Sequence, residues 1–272
     1  MKQHPLHTNL LLFDVFDTEK DIVHFTTTRE GGVSNGVFSS FNMGNFSDDN
    51  PVHIRENHEI LARLLYIDIN RFVIPHQTHG TKVLTIDRNF LILDRASAIE
   101  ALYGVDATIT QEKDIVLCAT TADCVPLILY DVRKKVIASI HAGWRGTVGR
   151  IVAKTIQEME RQFGSSPGDM RAGIGPSIEM SHYEVGEDVS NRFHDEGFDL
   201  KDTTLFSRRN SSSKYHVDLK EINRRELIRL GIPEDNIEKS SLCTFGREDL
   251  FFSARRQTVH SGRMLTGIMM KA

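Results

Sequence analysis

The chain has 272 residues, 40% of them hydrophobic, with a formal net charge of −4 and a pI near 6.3. That length and apolar share allow a full buried core. The slightly acidic balance argues against nonspecific binding to nucleic acid or to an anionic membrane surface. Cys118, Cys124 and Cys243 are too few, and odd in number, for a disulfide framework, which fits a reduced, cytoplasmic protein. The N-terminal run MKQHPLHTNLLLFDVFD is too short in apolar residues for a secretion signal, and no stretch has the length of a membrane span. With no linker, low-complexity tract or internal repeat, one domain over residues 1–272 is expected.

In chain order, DIVHFTTT (21–28) reads as a strand rich in β-branched residues, followed by the glycine-rich turn REGGVSNG. NPVHIRENHEILARLLYID carries Ile54, Leu61, Leu64 and Leu65 at helical spacing. RFVIP and KVLTID look like strands on either side of HQTHG, and VDATIT, DIVLCATT, VPLILYD and KVIASIHA follow as further short strands. In TVGRIVAKTIQEMERQFG, residues Val148, Ile151, Val152, Ile156, Met159 and Phe163 share one helical face, and Gly164 stands where the helix would stop. DLKEINRRELIRLG is a second helix, with Asp218 and Glu221 placed for a capping box and Gly231 at its end. Strand runs without intervening helices argue against a simple doubly wound sheet and for a mixed α+β architecture.

Cys118, inside IVLCAT, reads as a small buried hydrophobe. Cys124 follows TTAD and precedes Pro126 closely, a strand-end turn of the kind that carries functional groups. His141 ends another strand in HAGWRG. There Gly143 and Gly146 permit tight backbone geometry, Trp144 and Arg145 add an aromatic face and a fixed cation, and a helix starting near Thr147 would offer free N–H groups to a phosphate or carboxylate. A structural histidine in a plain glycine-rich turn fits the same residues, and spacing does not separate the two readings. His76 and His79 lie in HQTHG, where Pro75 and Gly80 favour a loop. Paired CxxC and HExxH are absent, so the case for a metal rests on residue types that suit zinc, one thiolate and one or two imidazoles. Three such ligands would leave a fourth position open to water, whose pKa zinc lowers from about 15.7 towards ~7. The thiolate would then be a ligand and not a nucleophile.

The ordered motifs TTTREGGVSNGVFSSFNMG, PHQTHGTKV, DATIT, TADCVPLILYD, IHAGWRGTVGRIV, GIGPSI, YEVGEDV, YHVDL, LCTF and FFSARR resemble the YfiH family, also called the laccase-domain or polyphenol-oxidase YfiH family, over nearly the whole chain. The resemblance implies an α+β fold, a four-layer α-β-β-α sandwich with mixed β-sheets, related to the catalytic domain of cytotoxic necrotizing factor. It implies Zn2+ held by His79, Cys124 and His141, with His76 outside the shared motif. It also implies phosphorolysis of adenosine, inosine and methylthioadenosine, and deamination of adenosine, with purine nucleosides and phosphate as partners.

Within that frame Arg29, Arg145 and the helix start after Gly146 are candidates for a phosphate cradle, and Asn42 for binding the nucleoside. Asp123 joins the catalytic set as a ligand-steering group or proton carrier, although it also suits a turn cap. Arg255 and Arg256 suit either phosphate or a salt-bridged strand end. The chain departs from the family pattern at Ala254, where an aromatic is common, and in a longer QTVHSGR segment. Three other readings remain open. One is a cysteine hydrolase or amidase using Cys124 and His141. Another is a copper polyphenol oxidase, disfavoured by scattered histidines with no HxH pair. The third is a non-catalytic zinc module completed by Cys118, Cys243 or His76.

Overall fold

The computed structural model describes residues 1–209, 212–258 and 260–272, so Val259, inside QTVHSGR, lies outside the described residues. The hairpin formed by Val125–Asp131 and Val136–Ala142 sets the frame, in a register that pairs Pro126 with His141 and Asp131 with Val136. A period of two sends alternate side chains to opposite faces. Leu127, Leu129, Val136, Ala138 and Ile140 pack with Ile151, Val152, Ile156 and Met159 of the Ile151–Phe163 helix and with Leu219, Ile222 and Leu227 of the Leu219–Arg229 helix. Ile128, Tyr130 and Ile137 pack instead with Ile22, Leu117, Ile268 and Met270 of a second sheet. Burial on both faces explains why these strands read as continuous apolar runs.

The hairpin's sheet has the order Ile237–Lys239, Met170–Ile174, Val125–Asp131, Val136–Ala142, Val105–Thr110, Lys82–Thr85, antiparallel inside and parallel at both edges. The other sheet has the order Lys2–Gln3, Leu10–Leu12, Ile22–Thr27, Met264–Met270, Val116–Thr121, Phe72–Val73, with only its last pair parallel. The outer face of this second sheet, including Phe25, Val116, Cys118, Leu265 and Met269, packs against Leu61, Ile60 and Leu65 of the Pro51–Leu65 helix. The layers therefore run helix, sheet, sheet, helix: a mixed α/β fold. A small antiparallel sheet of Glu184–Val185, Ser212–Val217 and Thr204–Arg209 forms a ladder of its own, with Val217 and Val185 packed on the first sheet's core. Among the described residues, no helix is long and apolar enough to cross a membrane.

Two helix expectations need correction. The helix expected from about Thr147 is two helices, Trp144–Val148 and Ile151–Phe163, separated by Gly149 and a left-handed Arg150 at φ 62°. Thr147 lies within the first helix, its N–H already bonded to Gly143 O, so the free N–H groups precede it. A Cβ at Gly149 would come within 2.6 Å of Thr81 Cγ2, and Arg150 is fixed by Glu226 and by the Phe198 ring 3.6 Å from its guanidinium carbon. Tertiary packing imposes this break. The second correction concerns the capping box, which is half formed. Asp218 accepts from the Glu221 N–H at 2.9 Å, but the Glu221 carboxylate turns to Arg224, Arg225 and Lys239.

Candidate active site

Three segments meet at one end of the sheet pair. Cys124 lies just before the Val125–Asp131 strand, and His141 stands near the end of its hairpin partner. His79 arrives on the loop between Phe72–Val73 and Lys82–Thr85. Their ligand atoms all lie within 4.8 Å of one another, and the His79 and His141 rings meet edge to face at 4.9 Å. His141 is buried, Cys124 half-buried and His79 exposed, so the cluster opens to solvent. Gly143 is needed for space rather than for conformation. Its φ is an ordinary −71°, but a Cβ there would lie 3.0 Å from both Cys124 Sγ and His79 Cδ2.

Asp106, in VDATIT, organises this convergence and was missed as a functional residue in the sequence. Its buried carboxylate accepts the backbone N–H groups of Thr78 (3.3 Å), His79 (3.0 Å) and Gly80 (2.7 Å), and Oδ1 lies 2.8 Å from His141 Nδ1. These bonds hold His79 at φ 63°, a left-handed conformation unusual for a residue with a Cβ. Gln77 ties down the same loop, exchanging side-chain bonds with the N–H and carbonyl of Thr120, both at 2.8 Å. With Nδ1 engaged by Asp106, Nε2 is the His141 nitrogen left for the cluster. Burial by itself would raise the Cys124 thiol pKa, but His141 and His79 beside it reverse the sign and hold it well below the usual thiol range. Burial opposes charge on His141 too, yet Cys124 and Asp106 raise its pKa. Asp106 is lowered despite burial, because His141 and the loop N–H groups favour its ionised form.

The cluster forms the floor of an open cleft of about 490 Å³. One wall carries Phe46 stacked on His76 at a centroid distance of 3.8 Å; Tyr103, which does not line the cleft, meets His76 edge-on at 4.9 Å. His76 thus lies on the wall and not in the cluster. The other wall carries Tyr183, Arg255 and Arg263, and the Arg255 guanidinium carbon lies 5.4 Å from the Tyr183 ring centroid. An aromatic and an arginine scattered through sequence leave no local signal that they share a cleft.

The remaining sequence candidates fall in different places. Asp123 lines the cleft at φ 93°, but both its oxygens are engaged: Thr244 Oγ1 donates to one, and Ser253 Oγ and the Arg255 N–H donate to the other. It fixes the turn that presents Cys124. Asn42 is fully buried away from the cleft. It bonds Ser47, Asp49, the Gly44 N–H and the Arg263 N–H, which shapes the loop bearing Phe46 and seats Arg263. Arg29 also lies off the cleft, donating to Ser39 O and Glu248 O over the Phe252 ring. Arg145 is exposed, stacks 4.3 Å from the Trp144 ring centroid and lines a separate groove with Asp188 and Glu196. Arg256 holds the carbonyls of Thr244, Phe245 and Phe251.

A family model described as multi-copper polyphenol oxidoreductase laccase matches residues 23–271, and the chain belongs to this YfiH-type, laccase-like family of enzymes. It is 42% identical over 260 residues, 96% of each chain, to a purine nucleoside phosphorylase from Bacteroides thetaiotaomicron. It is 39% identical over 247 residues to adenosine deaminase RL5 from an unknown prokaryotic organism, covering 91% of this chain and 93% of that one. The crystal structure of the Bacillus licheniformis hypothetical protein YfiH superposes with a TM-score of 0.88 at 33% identity, over 97% of both chains.

Proposed function

We propose that the chain is a zinc-dependent enzyme of purine nucleosides, carrying out phosphorolysis of adenosine, inosine and methylthioadenosine and hydrolytic deamination of adenosine. The observation that carries this reading is the convergence of His79, Cys124 and His141 on the floor of a cleft with an aromatic wall and an arginine wall. One thiolate and two imidazoles suit zinc by donor type, and three protein ligands leave a position for water or substrate. Zinc bound there would supply a water acidified to near neutral pH and a Lewis acid for polarising substrate. The names of the relatives, a phosphorylase and a deaminase, support both reactions in one cleft.

The chain's own residues would do the rest. The Phe46–His76 stack offers a flat face to the purine. Arg255 and Arg263 line the cleft and would hold phosphate there, Arg263 while its Nη1 also donates to Ser261 O, Ser261 Oγ and Gly262 O. Asp106 fixes the His141 ring, and Asp123 fixes the Cys124 turn. Arg29 and Asn42 act through the loops they brace. A cytoplasmic setting would suit the three free thiols.

One observation favours a second reading. Asp106, His141 and Cys124 are ordered as orienting acid, base and thiol, the arrangement of a cysteine hydrolase. His79 separates the two, being essential to a metal centre and dispensable to a thiol nucleophile. The decisive assay incubates zinc-loaded protein with adenosine, with and without phosphate, and resolves the products by chromatography. Adenine that requires phosphate, or inosine in either case, supports the proposal if His79→Ala abolishes it. Absence of both products, with turnover of an amide substrate, supports the hydrolase.

A further inference from the structure

A second thiol–imidazole–carboxylate cluster lies behind the cleft. Glu179, His182 and Cys243 present ligand atoms all within 4.8 Å of one another, and none of the three lines the cleft. Cys243 Sγ stands 3.6 Å from His182 Nδ1. A thiolate and an imidazole bound to one tetrahedral ion, at about 2.3 and 2.0–2.1 Å, would be about 3.6 Å apart. Two backbone N–H groups also converge on the sulfur, from Glu179 at 3.4 Å and Gly246 at 3.3 Å. Donors aimed at sulfur stabilise the thiolate, the form that binds metal. The His182 ring is held in place by stacking on Phe245 at 4.8 Å. The Ser181 hydroxyl, 3.1 Å from Nδ1, would have to yield that contact to an ion.

We propose that Glu179, His182 and Cys243 bind a second divalent ion, zinc by donor type, with a water completing four-coordination. Thiolate and carboxylate balance its charge. The buried Lys220 ammonium, bonded to Ser240 O and Leu242 O, anchors the loop that carries Cys243. The ion would join two segments already in contact through the Ser177–Cys243 bridge, the Thr244 N–H bond to Ser177 O, the Glu179 N–H bond to Cys243 Sγ and the His182–Phe245 stack, and would tie them through side-chain ligands. Ile178 and Tyr183 on one segment line the cleft, and Thr244 on the other holds Asp123 beside Cys124. The second ion is therefore a staple that sets the cleft wall and takes no part in chemistry.

The test is metal stoichiometry by mass spectrometry after reloading apo-protein with zinc and gel filtration. Wild type should retain about two zinc ions per chain, and His79→Ala/Cys124→Ser about one. Adding Cys243→Ser to that double variant should leave none. Cobalt in the double variant should give a thiolate charge-transfer band that Cys243→Ser removes and His182→Gln weakens. Should the double variant fail to fold by circular dichroism, Cys243→Ser alone should lower wild-type zinc from about two to about one. A folded double variant that holds no zinc, or a zinc count unmoved by Cys243→Ser, overturns the proposal. Loss of the cleft ion is read separately, as the difference between wild type and the double variant.

Discussion

Asp106 Oδ1 lies 2.8 Å from His141 Nδ1, and the same carboxylate gathers the N–H groups of Thr78, His79 and Gly80. One buried acid thus orients an imidazole of the cluster and folds the loop that delivers the other. Asp106→Asn keeps the size but replaces one acceptor oxygen with an NH2 facing donors. Zinc affinity should fall by about 10–100-fold, the usual cost of losing an outer partner of a metal-bound histidine. Competition with a chromophoric chelator measures this, and wild-type affinity in the variant would remove Asp106 from the site.

Gly143→Ala tests the packing of the cluster. The added methyl would stand 3.0 Å from both Cys124 Sγ and His79 Cδ2. The backbone conformation suits alanine, so the fold should survive while zinc retention and turnover drop at least about 10-fold, equivalent to about 1.4 kcal/mol at the site. The comparison of melting temperature with zinc content separates local from global damage.

The strands were largely legible because β-branched apolar runs between turn residues need no tertiary information. VDATIT and VPLILYD coincide with Val105–Thr110 and Val125–Asp131. The interrupted helix was not legible, since its break depends on Thr81 and Glu226, distant in sequence. His79, Cys124 and His141 could be named together only through family motifs, because their meeting is a property of sheet topology and not of spacing. Asn42 and Arg29 lie in motifs that suggest ligand contact, yet Asn42 bonds Ser47, Asp49 and the Gly44 and Arg263 N–H groups, and Arg29 bonds the exposed Ser39 and Glu248 carbonyls. Asp106 passed as an ordinary strand residue because nothing local marks which face it takes.

The two walls of the cleft should separate in kinetics. Phe46→Ala should raise KM for the nucleoside about 2–10-fold, the worth of one aromatic contact, with little effect on phosphate. Arg263→Gln should raise KM for phosphate about 10-fold or more through loss of a charge-assisted bond. Coupled loss in both KM values with a lowered melting temperature would mean that these residues only brace the loops.

His24 predicts acid sensitivity of the fold. It is packed against Phe13 and Phe16 with Nδ1 accepting from the Phe13 N–H, and burial lowers its pKa to about 4. Between about pH 6.5 and pH 4 the unfolded chain binds a proton that the native chain refuses, so stability falls as pH falls across that window. The loss should reach roughly 3 kcal/mol at the acid end. His58, lowered by burial as well, acts in the same direction. Urea melts of wild type and His24→Gln across this range should converge towards low pH; a constant gap would exclude the mechanism.

The central claim is that nucleoside chemistry depends on a metal held by His79, Cys124 and His141. The most direct measurement is turnover of adenosine, with and without phosphate, as chelated protein is titrated with zinc, in wild type and in His79→Ala. The account predicts product in proportion to bound zinc in wild type, and none in His79→Ala at any zinc level. Full turnover by metal-free protein, or by His79→Ala, would contradict it.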